Sequence, residues 1–133
     1  KKNAKNLGVS NAVCFICADL LTAIKRDVAF DMILANLPYV PADECKTLMQ
    51  DVRCFEPAIA LDGGKNGIEP YRRLVSMLSC SLKKDGHILF EIGGAKQAAY
   101  MKNALGRLGM NTEIKLDLSG KKRVIIGTWT NSL

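Results

Sequence analysis

Three polar residues stand at the ends of apolar runs, where a sheet would present them to a ligand: Asp19, Asn36 and Glu91. Asn36 opens the stretch Asn36-Leu37-Pro38-Tyr39 directly after the apolar run "FDMILA". Its side chain offers one carbonyl, and the main chain of Leu37 offers another beside it. Two acceptors at that separation suit a planar –NH2 group, each taking one hydrogen. Pro38 biases Leu37 toward extended backbone, lacks an N–H, and stiffens the corner through its fixed φ. Tyr39 can cover the flat face of the bound group. Such a corner would hold an amide or aromatic amine and aim its nitrogen at an electrophile, which is catalysis by positioning. The plainer alternative is a strand exit with a turn-forming proline.

Ligands of open α/β sheets bind beyond the carboxyl ends of the strands, so the surrounding elements decide between these readings. Residues 2–7 read as a helix end closed by Gly8. "AVCFICADL" (12–20) reads as a strand ending on Asp19, and "VAFDMILAN" (28–36) as a second strand, apolar nearly throughout, as expected where both faces are covered. Residues 37–67 are irregular, with a helix of two or three turns in "PADECKTLMQDV" and tight turns in "EPAIALDGGKNG". From Ile68 the spacing of Tyr71, Leu74, Val75, Leu78 and Leu82 predicts one helix, stopped by "KKDG". "HILFEIG" (87–93) is the third strand. A helix follows with Ala98, Met101, Leu105 and Leu108 on one face and Gly109 at its end. "TEIKLDL" and "RVIIGTW", joined by an "SGKK" turn, read as an antiparallel pair. Strand, helix, strand, helix and closing hairpin define an α/β doubly wound sheet.

At 133 residues the chain fits one domain. No apolar run approaches the ~20 residues that span a bilayer, and "KKNAKNLGVSNAV" lacks the apolar core of a secretory signal, so the cytoplasm is the default expectation. The five cysteines are odd in number and scattered. Cys14 and Cys17 have C-x-x-C spacing, but on a strand they would point to opposite faces, and no second pair follows. Buried reduced thiols are expected, and no metal site. Net charge is +6, concentrated in the second half: residues 1–70 carry eight Lys/Arg against nine Asp/Glu, residues 71–133 eleven against four. That asymmetry fits either an acidic partner or a solvated face. His87 opens a strand after a turn and reads as structural.

The stretch "NLPY" after an apolar strand resembles the N/D-P-P-Y signature of S-adenosylmethionine-dependent methyltransferases that act on planar –NH2 nitrogens. "RCFEPAIALDGGKNGIEPYRRLV", "LKKDGHILFEIGGAKQ" and "LDLSGKKRVIIG", in this order, narrow the resemblance to the HemK family of protein-(glutamine) methyltransferases. It runs through nearly the whole chain and implies a Rossmann-like methyltransferase fold. The implied reaction is methylation of the glutamine amide in the Gly-Gly-Gln loop of class 1 peptide-chain release factors, with S-adenosyl-L-methionine as cofactor. Carried over, Asn36 and Leu37 would accept from the substrate amide, Pro38 would set the corner and Tyr39 would pack on the amide plane. Asn36, Asp19 and Leu20 would border the cofactor, the latter two where the family's third strand ends. Glu56 and Pro57 match its Glu-Pro element on the substrate side. Glu91, Gly93 and Gln97 match its "EIG…Q" stretch, read as mainly structural. The family usually has proline where this chain has Leu37; the acceptor there is a backbone carbonyl, so the change need not abolish function, but it removes a φ restraint and would loosen the site slightly.

The resemblance also exposes a gap. The family's cofactor loop is glycine-rich and follows its first strand, and no G-x-G-x-G stretch occurs here. Residues 1–133 therefore correspond to the C-terminal part of a catalytic domain lacking its first two strands, with strand edges left unpaired. A homodimer or strand exchange could complete the sheet. No membrane partner is expected, and nucleic acid is disfavoured. The alternatives are an RNA or DNA adenine methyltransferase, which the basic second half would suit, and a non-catalytic fragment that only binds a partner.

Overall fold

The computed structural model describes residues 1–129. After α1 (Lys2–Asn6) and a 3-10 turn (Ser10–Ala12), the chain enters β1 (Phe30–Ala35). A crossover then carries a 3-10 turn (Glu44–Thr47), α2 (Gln50–Phe55), α3 (Ala58–Leu61), α4 (Glu69–Val75) and α5 (Leu78–Ser81) to β2 (Leu82–Glu91). Helix α6 (Ala95–Arg107) leads to the hairpin β3 (Met110–Leu116) and β4 (Lys122–Trp129). The four strands form one sheet in the order β1-β2-β4-β3. β1 and β2 are parallel, while β4 runs antiparallel to both its neighbours. Parallel neighbours need a long crossover, which the residues between Ala35 and Leu82 supply.

Alternation along β2 decides which face is the core. Ile88, Phe90 and Ile92 are fully buried, whereas His87, Leu89 and Glu91 between them are half-buried. Against the buried face pack Tyr71 and Leu74 of α4, Leu78 of α5, and Ala98, Met101 and Leu105 of α6. Tyr71 meets Phe90 edge to face, ring centroids 5.7 Å apart, a geometry that matches the aromatic quadrupoles. The hairpin turn is tied by Asp117. Its Oδ1 accepts from the Ser119 and Lys121 N–H groups, both at 2.9 Å, and its Oδ2 from Arg123 Nε at 3.3 Å. These donors, the Lys121 N–H foremost, hold the Asp117 carboxyl below the usual carboxylate range.

Several sequence expectations are corrected. Residues 13–19 are not a strand: among the described residues no neighbour offers them a ladder, and Cys14 and Cys17 are exposed. Cys54 and Cys80 are exposed too and Cys45 is only half-buried, so the expected burial of the thiols fails. β1 is covered on one face only; Ile33 is buried while Met32 and Leu34 are 52% and 71% exposed. The stretch 41–52 forms a 3-10 turn and the start of α2 in place of one helix. The helix expected from Ile68 breaks after Val75, where the Ser76 hydroxyl bonds back to the Arg73 carbonyl at 2.7 Å. "KKDG" does not precede its strand but bulges within it. Phe30 pairs with Leu82 and Met32 with His87, so 83–86 bow out, with Asp85 at φ +61. No helix among the described residues is long and apolar enough to cross a membrane.

Candidate functional site

The corner Asn36–Tyr39 leaves the sheet at the carboxyl end of β1, where β2 also ends on Glu91. Beyond it Val40 turns alongside the "LDGG" loop. Its N–H donates to the Leu61 carbonyl at 3.0 Å, its carbonyl accepts from Gly63 at 2.8 Å, and the Ala42 N–H donates to the Gly64 carbonyl at 2.9 Å. The chain leaving the corner is thus tied to that loop.

Glycines make that approach possible. A β-carbon on Gly63 would lie 2.8 Å from both the Pro38 carbonyl oxygen and the Tyr39 α-carbon. One on Gly67 would overlap the Tyr39 carbonyl, and one on Gly93 would come within 2.9 Å of the Tyr39 ring. Real β-carbons do not come so near backbone atoms, so "DGGKNG" and "EIGG" are the price of packing three loops around one tyrosine. Beneath them lies the amide of Gln97, which accepts from the Gly93 N–H and donates to the carbonyls of Tyr39 (2.7 Å) and Gly67 (2.9 Å).

Tyr39 is half-buried, and its hydroxyl donates to Glu91 Oε1 at 3.2 Å. Burial first, then the Glu91 charge, raises the Tyr39 phenol above its ordinary value, against a smaller opposing pull from Arg123. The phenol stays protonated at neutral pH and keeps its donor. Behind it, Tyr71 donates to the Glu91 carbonyl at 2.7 Å, and burial pushes its phenol far up. Arg123 Nη1 reaches the Ile92 carbonyl at 3.4 Å, linking the hairpin to the end of β2.

A cavity of about 180 Å³ opens at this corner, lined by Asn36, Leu37, Tyr39, Val40, Ala60, Leu61 and Glu91. That is below the ~300–1,000 Å³ typical of whole small-molecule ligands, and suits a single side chain. Asn36 is exposed at its mouth. Among the described residues no hydrogen bond engages the Asn36 side chain or the Leu37 carbonyl. Two free acceptors beside a small cavity match a primary amide, which needs to place two N–H bonds.

The eight candidate residues are distributed unevenly. Asn36, Leu37 and Tyr39 line the cavity, and Pro38 sets the turn between them. Glu56 and Pro57 are exposed and outside the lining. They lead into α3, whose Ala60 N–H bonds the Pro57 carbonyl at 2.8 Å and whose last residues face the cavity. Asp19 is exposed and ion-paired with Arg73; Leu20, at φ +52, packs against the core. Neither lines the cavity, and neither ends a strand. Sequence reasoning missed Ala60 and Leu61, although a Glu-Pro pair opening a helix already marked their place. It also read Gln97 as scaffold, where its position four residues before Met101 sets an amide on the apolar face of α6. A second cavity of about 400 Å³ shares Tyr39 and Val40 and opens over Gly93–Gln97.

No family model matches the sequence. Individual relatives do. The release factor glutamine methyltransferase of Clostridium acetobutylicum is 38% identical over 128 residues, 95% of this chain and 45% of its own length. That of Caulobacter vibrioides is 36% identical over 96% of this chain and 44% of its own, and that of Clostridium botulinum 38% over 94% and 44%. The chain thus spans less than half the length of these relatives. Among solved structures, a chain of the E. cuniculi Mtq2–Trm112 complex, described as responsible for methylation of the eRF1 translation termination factor, superposes with a TM-score of 0.61. It is 24% identical, covering 97% of this chain and 68% of that one, and the likeness is one of fold. The expected α/β methyltransferase fold therefore agrees with a solved one. The resemblance read from Asn36–Tyr39 and the motifs downstream is borne out: over nearly its whole length this chain is similar to a segment of the release factor glutamine methyltransferases.

Proposed function

We propose that the protein takes part in S-adenosylmethionine-dependent methylation of a glutamine side-chain amide in the Gly-Gly-Gln loop of a class 1 release factor, and that these residues form the amide-binding half of the site. The observation that carries this reading is the pair of unengaged acceptors, Asn36 Oδ1 and the Leu37 carbonyl, at a cavity sized for one side chain. Similarity to the glutamine methyltransferases agrees with it.

An amide nitrogen is a weak nucleophile because its lone pair is delocalised. Asn36 and Leu37 would each accept one of its hydrogens, fixing the amide plane and favouring positive charge as it develops on nitrogen. Tyr39 walls the cavity, and its hydroxyl, committed to Glu91, holds the ring in place. Ala60 and Leu61 complete the lining. No strong base is needed at the nitrogen if the proton leaves after transfer. S-adenosylmethionine, when bound, supplies the methyl group. Asn36, just past the carboxyl end of β1, would border it. Of the three residues expected around that cofactor, Asp19 is paired with Arg73 and Leu20 packs against the core, which leaves Asn36 to meet it.

Of the eleven Lys/Arg in residues 71–133, Arg73, Lys83, Lys115 and Arg123 are paired with a carboxylate, so the nucleobase alternative is tested by the same experiment. The deciding experiment incubates the protein with S-adenosylmethionine and a class 1 release factor and reads the mass of the Gly-Gly-Gln peptide. One added methyl group on glutamine, lost in Asn36→Ala, is expected. Methylation of an adenine oligonucleotide with none of the release factor would refute the reading.

A further inference from the structure

We propose that Gln97 is a positioning residue for the amide-binding corner: its buried side chain aims the Leu37 carbonyl through the main chain of Tyr39. The proposal rests on the reading of the corner given above. Gln97 is 7% exposed. Its amide is committed at every donor: Nε2 gives one hydrogen to the Tyr39 carbonyl at 2.7 Å and one to the Gly67 carbonyl at 2.9 Å, while Oε1 accepts from the Gly93 N–H. This pattern also fixes the orientation of the amide, because the flipped form would set nitrogen against an N–H and oxygen against two carbonyls. The partners belong to three different loops: the corner itself, the "DGGKNG" loop and the end of β2.

Between the Leu37 and Tyr39 carbonyls lie only Pro38 and Tyr39. Pro38 has its φ locked, so an anchored Tyr39 carbonyl leaves Leu37 little freedom. The substrate acceptor is therefore held from below by a residue 58 positions away from Tyr39. If catalysis here is alignment, a drift of about 1 Å in that acceptor costs on the order of 10²-fold in rate.

The test uses the whole protein and separates alignment from mere stability. Gln97→Glu keeps the shape but replaces the NH2 donor with a carboxylate oxygen facing two carbonyls. Its kcat for the release factor is expected to fall on the order of 10²-fold at neutral pH, with KM for S-adenosylmethionine unchanged. The loss should ease as pH falls, because the protonated carboxyl regains one O–H donor. Gln97→Met should lose activity without that pH dependence, and Asn103→Ala, on the exposed face of α6, should lose none. An unchanged kcat in a folded Gln97→Glu protein overturns the proposal, as does a loss that ignores pH. If Gln97→Glu does not fold, the unsubstituted protein still answers by NMR: the Gln97 side-chain protons should exchange far more slowly than those of Asn103, and equal rates overturn the proposal. If the unsubstituted protein proves inactive, the functional reading fails and the positioning claim is judged by resonance shifts in Gln97→Glu. Shifts reaching residues 36–39 support it, and shifts confined to α6 overturn it.

Discussion

Gly67→Ala is the perturbation that most directly measures how tightly the corner is packed. Gly67 sits at φ +67, and a β-carbon there would meet the Tyr39 carbonyl oxygen and come within 2.9 Å of Gln97 Nε2. Gly109 has nearly the same backbone, φ +77, but nothing lies within 4 Å of its would-be β-carbon. Both substitutions incur the left-handed cost of roughly 1–2 kcal/mol. Only Gly67→Ala also overpacks the corner, at about 1–3 kcal/mol, and strips a buried hydrogen bond, at about 1–3 kcal/mol more. It should therefore cost about 2–6 kcal/mol beyond Gly109→Ala, a large share of a domain stability of roughly 5–15 kcal/mol. Urea unfolding followed by circular dichroism reads both variants under one set of conditions. Equal losses would mean that the three loops are not in contact around Tyr39, and the account of the glycine motifs would fall with them.

Tyr71→Phe removes the donor to the Glu91 carbonyl and should cost about 1–3 kcal/mol in the same unfolding assay. Alkaline pH should destabilise the fold. Tyr39 and Tyr71 ionise later folded than unfolded, so the unfolded chain sheds protons first and stability falls as pH rises past about 10, the ordinary tyrosine value; a flat stability profile there would contradict the burial of both rings. Asp117→Asn should matter at neutral pH and cease to matter in acid, because a carboxyl held below its unfolded value stabilises above that value and loses the advantage as it protonates. Leu34→Lys, on the open face of β1, should change stability by no more than about 0.5 kcal/mol while lowering any self-association seen by sedimentation.

The corner was legible because its signals are local: an apolar run, a side-chain amide, a proline and an aromatic ring in succession. The hairpin was legible for the same reason, with alternating residues on either side of a Ser-Gly turn. What escaped depends on neighbours. "AVCFICADL" has the composition of a strand, but a strand exists only where another supplies its ladder, and among the described residues none pairs with 13–19. "KKDG" has turn chemistry and does turn the chain, yet as a bulge, because Leu82 on its far side finds Phe30 to pair with. At the break after Val75 the Ser76 hydroxyl takes the Arg73 carbonyl and the Met77 N–H turns to that of Leu74. Of the residues lining the cavity, Asn36, Leu37 and Tyr39 could be named from their chemistry. Ala60, Leu61 and the three hydrogen bonds of Gln97 could not, since each depends on a contact across the fold.

The bonds from Gln97 reach back 58 residues to Tyr39 and 30 to Gly67. On the ribosome the corner therefore emerges well before the side chain that will lock it. At about 5–20 residues per second the delay is roughly 3–12 s, ample time for the strand and its loop to sample other arrangements. The hydrogen bonds that hold the corner are thus completed only when α6 docks. Opening of the first turn of α6 in the mature protein would release the corner with it, so the Gly93 amide proton, bonded to Gln97, should exchange with the opening free energy of that turn.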